Sequence, residues 1–449
     1  MAKLFGTDGV RGKAGEVLTA ELAMKLGQAA GRVFLEENGG KTGAVIVGRD
    51  TRISGQMLEC ALTAGLTSVG LQVISAGVVP TPAVAFLVRN FNALAGGVIS
   101  ASHNPYEDNG IKFFSATGTK LRDDQEAAIE AALQGELPIP VASGKNIGRY
   151  AQVEEAVEAY KDFLSQMVNV SGSRYRVVVD CANGAASSLA QEVFERAKLD
   201  VVMMGDQPNG SNINVNCGST HLAQLQERVV AEGADVGLAF DGDADRFLAV
   251  DEKGRVVDGD HLMAIYAKAM KEENRLVGNK LVVTVMSNLG LKLAMRDAGI
   301  DIVETNVGDR YVNEGLLETG AVLGGEQSGH IIFREYNSTG DGMISAIMLL
   351  NVMNHKRVPL SELADAAMTS LPQVLVNVPV RSKEGWQEIQ AIQEAIAKAE
   401  TALGEEGRVL VRASGTEQLL RVMVEGKDQK NIEMLANAIA DVVREAIGA

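Results

Sequence analysis

The order of predicted strands and helices repeats three times along the chain, and this repeat constrains the fold more than any other feature. In each copy a β-rich run ends in a polar turn and is followed by a helix-like stretch, a second strand and a third strand. The first strands are AVIVGRD, VVVDCANG and LVVTVMSN, starting at residues 44, 177 and 281. Strands that alternate with helices imply right-handed crossovers and mainly parallel sheets. The sequence therefore predicts three related α/β domains in tandem.

The third strand of each copy also ends in a polar turn, and these turns are the expected place for chemistry. The segments are GGVISASHNP from Gly96, DVGLAFDGDADR from Asp235 and AVLGGEQSGH from Ala321. In open α/β sheets ligands bind outside the carboxyl ends of the strands.

The end of the chain follows a different pattern. After the strand QVLVNVPV comes a helix predicted from Trp386 to Leu403, and then two adjacent strands joined by the turn SGTE and a terminal helix. An adjacent strand pair predicts a smaller α+β domain, not a fourth copy. Breaks rich in Pro, Gly and charged residues place the four domains at residues 1–145, 146–253, 254–370 and 371–449.

Composition excludes several classes of function. The net charge of −16 argues against non-specific nucleic-acid binding, although local Arg and Lys residues can still bind a phosphorylated small molecule. The apolar stretch Met343–Met353 is too short to span a bilayer and predicts a buried core helix. The three cysteines have no CxxC spacing, and the first residues have no secretory signal pattern. These observations predict a cytoplasmic protein without a membrane partner.

The strongest local signal is DGDADR, in which Asp241, Asp243 and Asp245 alternate along a turn. Alternation places three carboxylates on one side, where each pair roughly 5 Å apart repels by about 3 kcal/mol at an effective dielectric of about 20. A cation is therefore required, and ligation by oxygen alone favours Mg²⁺, Ca²⁺ or Mn²⁺ over zinc. Room for a phosphate oxygen beside the three carboxylates favours Mg²⁺.

Two other interpretations of this turn stay open. Counted from Asp241, the run matches an EF-hand at positions 1, 3, 5 and 12, the last being Glu252, but Arg246 stands where that loop needs glycine. Alternatively, one aspartate is the nucleophile of a phosphatase.

The second signal is SASHNP, a small-residue turn that exposes Ser102 with His103 beside it. Such neighbours are common in turns, and no G-x-S-x-G motif indicates acyl hydrolysis. A serine that accepts a phosphoryl group needs a metal and cations to neutralise the transferring oxygens. The aspartates would hold the metal, and Arg11, Lys112 and Arg246 could supply the positive charge.

Two further turns suit parts of a phosphorylated ligand. In GEQSGH, residues Glu326, Ser328 and His330 alternate and could face sugar hydroxyls, although an ordinary polar hairpin has the same pattern. In RASGTEQLLR, hydroxyls and backbone N–H groups between two arginines suit a phosphate, although Ser-Gly-Thr turns are frequent without one. The residues of this second turn are Arg412, Ser414, Gly415, Thr416 and Arg421.

Five motifs now identify a family. FGTDGVRG, ISASHNP, DGDADR, GEQSGH and R-x-SGTE, in this order over nearly the full length, closely resemble the α-D-phosphohexomutase superfamily. The resemblance implies four domains around one central cleft, each contributing a loop. One departure is Gln418, where the family usually has proline. Because glutamine does not fix the backbone φ as proline does, a looser loop is predicted.

The resemblance also implies roles for the residues. Ser102 would be the phosphorylated carrier and, with Asp241, Asp243 and Asp245, would hold Mg²⁺. His103, Arg246 and Arg11 would surround the transferring group, with Lys112 and His330 as general acid and base. Glu326 and Ser328 would bind sugar hydroxyls, and Arg412, Ser414, Gly415, Thr416 and Arg421 would hold the non-reacting phosphate.

The implied reaction is an interconversion of glucosamine 6-phosphate and glucosamine 1-phosphate, on the route to UDP-N-acetylglucosamine. The opening FGTDGVRG and the glutamine in GEQSGH favour this amino-sugar phosphate over mannose or glucose phosphates, which other members use. Phospho-Ser102 would give a glucosamine 1,6-bisphosphate, which turns end for end while a mobile fourth domain excludes water. A homodimer is compatible with the resemblance.

Overall fold

The computed structural model describes residues 4–6, 8–170, 174–414 and 417–449. Within these residues, three sheets are mainly parallel at their centres and a fourth, smaller sheet near the end of the chain is antiparallel. The predicted fold class of three related α/β parts and a smaller α+β part is confirmed. The chain forms two compact units, residues 1–286 with 299–367, and residues 287–298 with 368–449. The residue limits of the four domains stay predictions.

The first sheet has the order β1-β5-β4-β2-β3-β6. β2 pairs in parallel with both β3 and β4, whereas β5 runs antiparallel to β4 and to β1. Its elements are β1 Val10–Lys13, α1 Ala20–Glu37, β2 Ala44–Arg49, α2 Gly55–Ser68, β3 Gln72–Val78, α3 Thr81–Asn90, β4 Ala95–Ile99, β5 Asp108–Ser115, α4 Asp123–Leu133 and β6 Tyr150–Gln152.

The second sheet has the order β11-β10-β9-β7-β8, and the third has the order β13-β12-β14-β15. The second is built from α5 Glu154–Met167, β7 Arg176–Asp180, α6 Ala190–Arg196, β8 Asp200–Met204, α7 Ala223–Glu232, β9 Val236–Phe240, β10 Phe247–Asp251 and β11 Val256–Val257. The third region comprises α8 Gly259–Glu272, β12 Lys280–Thr284, α9 Leu289–Asp297, β13 Asp301–Thr305, α10 Asp309–Thr319, β14 Leu323–Gly325, β15 Ile331–Phe333, α11 Gly342–Lys356 and α12 Leu360–Ala367.

The three sheets share one strand order. An antiparallel partner lies beside the third strand of the repeat, followed by the first strand and then the second, as in β5-β4-β2-β3. Each third strand therefore leads into a hairpin loop at the carboxyl edge of its sheet. We call these the Ser102 loop (residues 100–107), the aspartate loop (residues 241–246) and the glutamate loop (residues 326–330).

Burial explains why these segments form strands and helices. β4 and β9 are buried at every residue, as expected for central strands covered on both faces. The apolar stretch Met343–Met353 lies in α11, and eleven residues of that helix are buried, so the predicted core helix is confirmed. Among the described residues, no helix is both long and apolar enough to cross a membrane.

The second unit contains an antiparallel sheet of order β16-β18-β17. The helix predicted from Trp386 begins instead at Gln390, because Gly385 has a φ of 76° and residues 386–388 form a separate 3₁₀ turn. The extended backbone of Ile389 separates the two. The elements are β16 Gln373–Pro379, α13 Gln390–Leu403, β17 Gly407–Ala413, β18 Leu419–Gly426 and α14 Gln429–Ile447.

Candidate active site

Ser102 lies in the hairpin loop between β4 and β5 and is 3% exposed. Its backbone has a φ of +51°, a left-handed conformation that costs a non-glycine residue on the order of 1–3 kcal/mol. The Oγ atom donates to Asp241 Oδ2 at 2.6 Å and lies 3.2 Å from His103 Nδ1. The hydroxyl thus faces the aspartate loop, although the two residues are far apart in the chain.

The two loops approach closely because Gly242 has no side chain. A Cβ atom at this position would lie 2.5 Å from the Ser102 carbonyl oxygen. Any other residue would force the two loops apart.

Asp241, Asp243 and Asp245 converge as predicted from their alternation. All three are buried, and one carboxylate oxygen from each lies within 4.8 Å of the others. Asp243 Oδ1 and Asp245 Oδ1 are buried and have no hydrogen-bond partner in the described part of the chain. Buried carboxylate oxygens without a partner are costly unless a cation pairs with them, so these residues fit a metal ion.

The remaining carboxylate oxygens are held by protein donors. Asp243 Oδ2 accepts from Thr81 Oγ1 at 2.6 Å and from Lys112 Nζ at 2.8 Å. Asp241 Oδ1 accepts from the backbone N–H of Arg246 at 3.2 Å. These bonds restrain the rotation of the Asp241 and Asp243 carboxylates, and they leave Asp243 Oδ1 to a metal.

The EF-hand interpretation of this turn is wrong. Its flanks are the strands β9 and β10, whereas an EF-hand loop joins two helices. Glu252, which would be the twelfth ligand, accepts hydrogen bonds from the backbone N–H and the hydroxyl of Ser361.

Three cationic residues interact with groups next to Ser102: Lys112 bonds Asp243, and Arg246 and Arg11 act on His103. Burial lowers the pKa of Lys112, but Asp243 and Asp245 outweigh burial and raise it, so the ammonium group stays charged. Arg11 Nε and Arg246 Nε are both buried without a hydrogen-bond partner in the described part of the chain. Buried N–H donors without a partner are suited to the oxygens of a phosphate.

His103 is kept neutral by its surroundings. Burial lowers its pKa first, and the charges of Arg246 and Arg11 lower it further. Its neutral imidazole can therefore donate a hydrogen bond from one ring nitrogen and accept one at the other.

The glutamate loop presents a carboxylate, a hydroxyl and an imidazole. Burial raises the pKa of Glu326, whose Oε1 accepts from the backbone N–H of Gly308 at 3.1 Å. Ser328 Oγ is buried and has no hydrogen-bond partner within the described ranges. It is therefore free to bond a ligand hydroxyl.

His330 links the glutamate loop to the metal site. Its Nδ1 lies 3.6 Å from Asp245, and its Nε2 lies 3.7 Å from Asp309. Burial lowers the pKa of His330, but these carboxylates outweigh burial and raise it to about 9. The backbone N–H of Gly340, 3.1 Å from Nε2, favours the neutral imidazole instead. A cation on Asp245 would offset the negative charge of that carboxylate and so lower the pKa of His330. Metal binding would therefore favour a neutral His330.

Sequence reasoning missed a chain of charges beside this site. Lys120 bonds Asp8 and also Asp309, at 2.6 Å from Asp309 Oδ2. Asp8 in turn accepts from Arg11 at 3.1 Å, and Asp309 approaches His330. Asp8 stands inside the motif FGTDGVRG, but Lys120 and Asp309 lie in no motif, so only the fold reveals them.

The second unit carries the predicted phosphate-binding residues. Arg412 on β17 and Arg421 on β18 are cross-strand partners, and burial together with Arg421 lowers the pKa of Arg412. Arg421 Nε is buried without a partner among the described residues. Arg421 Nη2 donates to Glu417 at 3.2 Å. Two adjacent guanidinium groups repel each other, and an anion bound to both would relieve the repulsion.

The turn between these two strands is described in part. Gly415 and Thr416 lie outside the described residues. Ser414 Oγ accepts from the backbone N–H of Glu417 at 3.2 Å. Gln418, which replaces the usual proline, accepts from the backbone N–H of Val380 at 3.1 Å and donates its side-chain amide to Arg381. The looser loop expected from this glutamine stays a prediction.

Comparison with known proteins places the chain in a family. Four models of the phosphoglucomutase/phosphomannomutase family match it in order: α/β/α domain I at residues 2–138, α/β/α domain II at 158–254, α/β/α domain III at 258–371 and the C-terminal domain at 375–442. The chain therefore belongs to the phosphoglucomutase/phosphomannomutase family, within the α-D-phosphohexomutase superfamily. It is an enzyme of the isomerase class that transfers a phosphoryl group within its substrate.

Two full-length relatives within this family are phosphoglucosamine mutases. The chain is 54% identical over 455 residues to a phosphoglucosamine mutase of Desulforudis audaxviator, and the match covers 100% of both chains. It is also 54% identical to the phosphoglucosamine mutase of Carboxydothermus hydrogenoformans, covering 99% of this chain and 100% of the relative.

Solved structures share the fold. A phosphoglucomutase/phosphomannomutase family protein from Burkholderia thailandensis superposes with a TM-score of 0.83 at 24% identity, covering 99% of this chain and 97% of that one. The N-acetylphosphoglucosamine mutase of Aspergillus fumigatus, solved with GlcNAc-6P and magnesium, has a TM-score of 0.72 at 19% identity, with 99% and 96% covered.

Proposed function

We propose that this enzyme is a phosphoglucosamine mutase, which interconverts glucosamine 6-phosphate and glucosamine 1-phosphate through phospho-Ser102. The observation that carries the proposal is the 2.6 Å contact between Ser102 Oγ and Asp241, one of three converging buried aspartates. Full-length identity to phosphoglucosamine mutases supports the choice of substrate. The product would serve the synthesis of UDP-N-acetylglucosamine.

We assign Mg²⁺ to the site formed by Asp241, Asp243, Asp245 and Ser102. The donors are all oxygens, and two of the carboxylate oxygens are otherwise unpaired, which suits a hard cation. When bound, the ion would neutralise negative charge on the phosphoryl oxygens. Arg11, His103 and Arg246 would donate hydrogen bonds to the same oxygens.

The transfer itself needs one proton removed and one supplied. A sugar hydroxyl oxygen attacks the phosphorus of phospho-Ser102, the bond from phosphorus to Ser102 Oγ breaks, and the phosphate ester of the sugar forms. His330 would accept the proton of the attacking hydroxyl, because a cation on Asp245 favours its neutral form. Lys112, which is charged, would give a proton to Ser102 Oγ. The reverse step on the other end of the sugar restores phospho-Ser102.

The intermediate of this sequence is glucosamine 1,6-bisphosphate, which must turn end for end between the two transfers. Glu326 and Ser328 would bond the sugar hydroxyls in both orientations. Arg412, Ser414, Gly415, Thr416 and Arg421 would hold whichever phosphate is not reacting. A single distal phosphate site then serves both half-reactions. We also propose a cytoplasmic enzyme that works as a homodimer on a small molecule.

The test is a mutase assay with Mg²⁺ and glucosamine 6-phosphate, primed with a trace of glucosamine 1,6-bisphosphate. The wild type should form glucosamine 1-phosphate, whereas Ser102→Ala should be inactive. Ser165→Ala is the matched control, because among the described residues this hydroxyl donates to the Lys161 carbonyl on α5 alone. Equal turnover by wild type and Ser102→Ala would overturn the mechanism.

Two further measurements separate the alternatives. A phosphatase with an aspartate nucleophile would release inorganic phosphate, label an aspartate and stay active as Ser102→Ala. A mannose or glucose phosphate mutase would show a higher kcat/KM on those sugars than on glucosamine 6-phosphate.

A further inference from the structure

The Ser102 loop rests on a buried arginine that lies outside the five sequence motifs. Arg52 stands between β2 and α2 and is 2% exposed. Its guanidinium has five N–H donors, and all five are bonded. Nε donates to Asp50 Oδ2 at 2.8 Å, and the other four bonds go to backbone carbonyl oxygens of Ser102 (2.9 Å), Asn104 (2.9 Å), Pro105 and Asp108 (3.0 Å).

The ion pair between Arg52 and Asp50 also fixes the backbone N–H of Ser102, through Ser100. Asp50 Oδ2 accepts from Ser100 Oγ at 2.6 Å, and Ser100 Oγ accepts from the backbone N–H of Ser102 at 2.9 Å. Arg52 and Asp50 therefore hold Ser102 at both its N–H and its carbonyl.

A second side chain bonds two of the same carbonyl oxygens. Asn214 Nδ2 donates to the carbonyls of Ser102 at 2.9 Å and Asn104 at 3.1 Å. Asn214 is 8% exposed and comes from the segment between β8 and α7. The loop is thus anchored from two separate sheets.

These bonds explain how the loop keeps an unfavourable backbone. Ser102 has a φ of +51°, and such a conformation persists only where its surroundings over-determine it. A lysine at position 52 could keep the ion pair with Asp50, but its single nitrogen cannot reach four carbonyls. The planar guanidinium with its fixed donors can.

We propose that Arg52 is a positioning residue for phosphoryl transfer, which aims Ser102 Oγ at the metal-binding carboxylates by anchoring the loop carbonyls. The inference rests on the proposed role of Ser102 as the phosphoryl carrier. Arg52 bonds Asp50 and four main-chain carbonyls rather than the reacting atoms, so its effect is on the transfer step and not on sugar binding.

The test compares Arg52→Lys with wild type in steady-state and single-turnover assays. A displacement of about 1 Å at a reacting atom can cost about 100-fold in rate, so kcat and the rate of ³²P uptake onto Ser102 from labelled bisphosphate should fall on that order. The KM for glucosamine 6-phosphate should stay within about threefold of the wild-type value, because the contacts that bind the sugar phosphate are unchanged. Val229→Ala, at a buried core position of α7, is the control for lost stability and should keep the wild-type kcat.

Asn214→Ala is the second variant, and it removes the other donor on two of the same carbonyls. It should lower the phosphorylation rate about tenfold with an unchanged KM, and it keeps the inference testable if Arg52→Lys does not fold. Wild-type phosphorylation rates in either folded variant would overturn the inference alone. A wild-type enzyme that takes up no label on Ser102 would overturn the proposed function together with it.

Discussion

The hydroxyl of Thr81 donates to Asp243 Oδ2 at 2.6 Å, and the backbone N–H of Thr81 donates to the Asp243 carbonyl at 2.9 Å. Thr81 begins α3 of the first sheet, whereas Asp243 belongs to the aspartate loop of the second. Because Lys112 bonds the same Oδ2 atom, this carboxylate cannot rotate, and Oδ1 remains free for the metal.

Thr81→Val should therefore weaken metal binding while keeping the shape of the side chain. The Mg²⁺ concentration for half-maximal activity should rise about 10–100-fold, as for other groups that orient a metal ligand. Thr81→Ser keeps the hydroxyl and is the control. Initial rates across a Mg²⁺ titration measure the effect, and an unchanged Mg²⁺ requirement in Thr81→Val would contradict the assigned role.

Lys120→Met should damage both stability and activity. Without the ammonium, Asp8 and Asp309 lose the cation that they share. The free energy of unfolding should fall by about 2 kcal/mol, because breaking a partly exposed ion pair costs less than breaking a fully buried one. Activity should fall as well, because Asp8 holds Arg11 and Asp309 approaches His330. Urea denaturation followed by circular dichroism, with kcat in parallel, checks both effects. Lys120→Arg keeps the charge and is the control. If Lys120→Arg were as impaired as Lys120→Met, the ion-pair explanation would be contradicted.

The fold was largely predictable because its signals are local. Each copy of the repeat has continuous apolar strands and helices of ordinary length, and β2, β7 and β12 all lie where the pattern predicts them. The start of the helix predicted at Trp386 was wrong, since apolar spacing cannot distinguish a 3₁₀ turn from the first turn of a helix. Gly385, with its φ of 76°, was the available signal.

The site was predictable only in part, and sequence distance explains the difference. The aspartate loop and the glutamate loop carry their residues at alternating positions within six residues, so their convergence can be expected from the strand period. Thr81 and Lys120 act on partners 162 and 189 residues away. No local pattern marks such pairs, because only the packing of separate sheets brings them together.

Arg412→Gln should separate binding from stability in the second unit. Arg412 and Arg421 are adjacent like charges, so removing one relieves repulsion, and the melting temperature should stay the same or rise. The KM for glucosamine 6-phosphate should rise at least about tenfold, because a charge-assisted phosphate contact is worth about 1.5–3 kcal/mol. Inorganic phosphate should stabilise the wild type more than the variant. A lower melting temperature with an unchanged KM would show that Arg412 is structural.

The three cysteines should react with a thiol reagent at very different rates. Cys60 is exposed, whereas Cys181 and Cys217 are buried. Burial, with Asp180 nearby, raises the pKa of Cys217 to about 11, and burial also raises the pKa of Cys181 well above its usual value. At pH 8 only about 0.1% of Cys217 would be thiolate, the reactive form. Ellman's reagent should therefore modify Cys60 rapidly and the other two thiols at least about 100-fold more slowly. The rate of the Cys217 phase should rise about tenfold per pH unit until the pH reaches the pKa of Cys217. Cys60→Ser should abolish the fast phase, and three equal phases in the native enzyme would contradict the burial of these thiols.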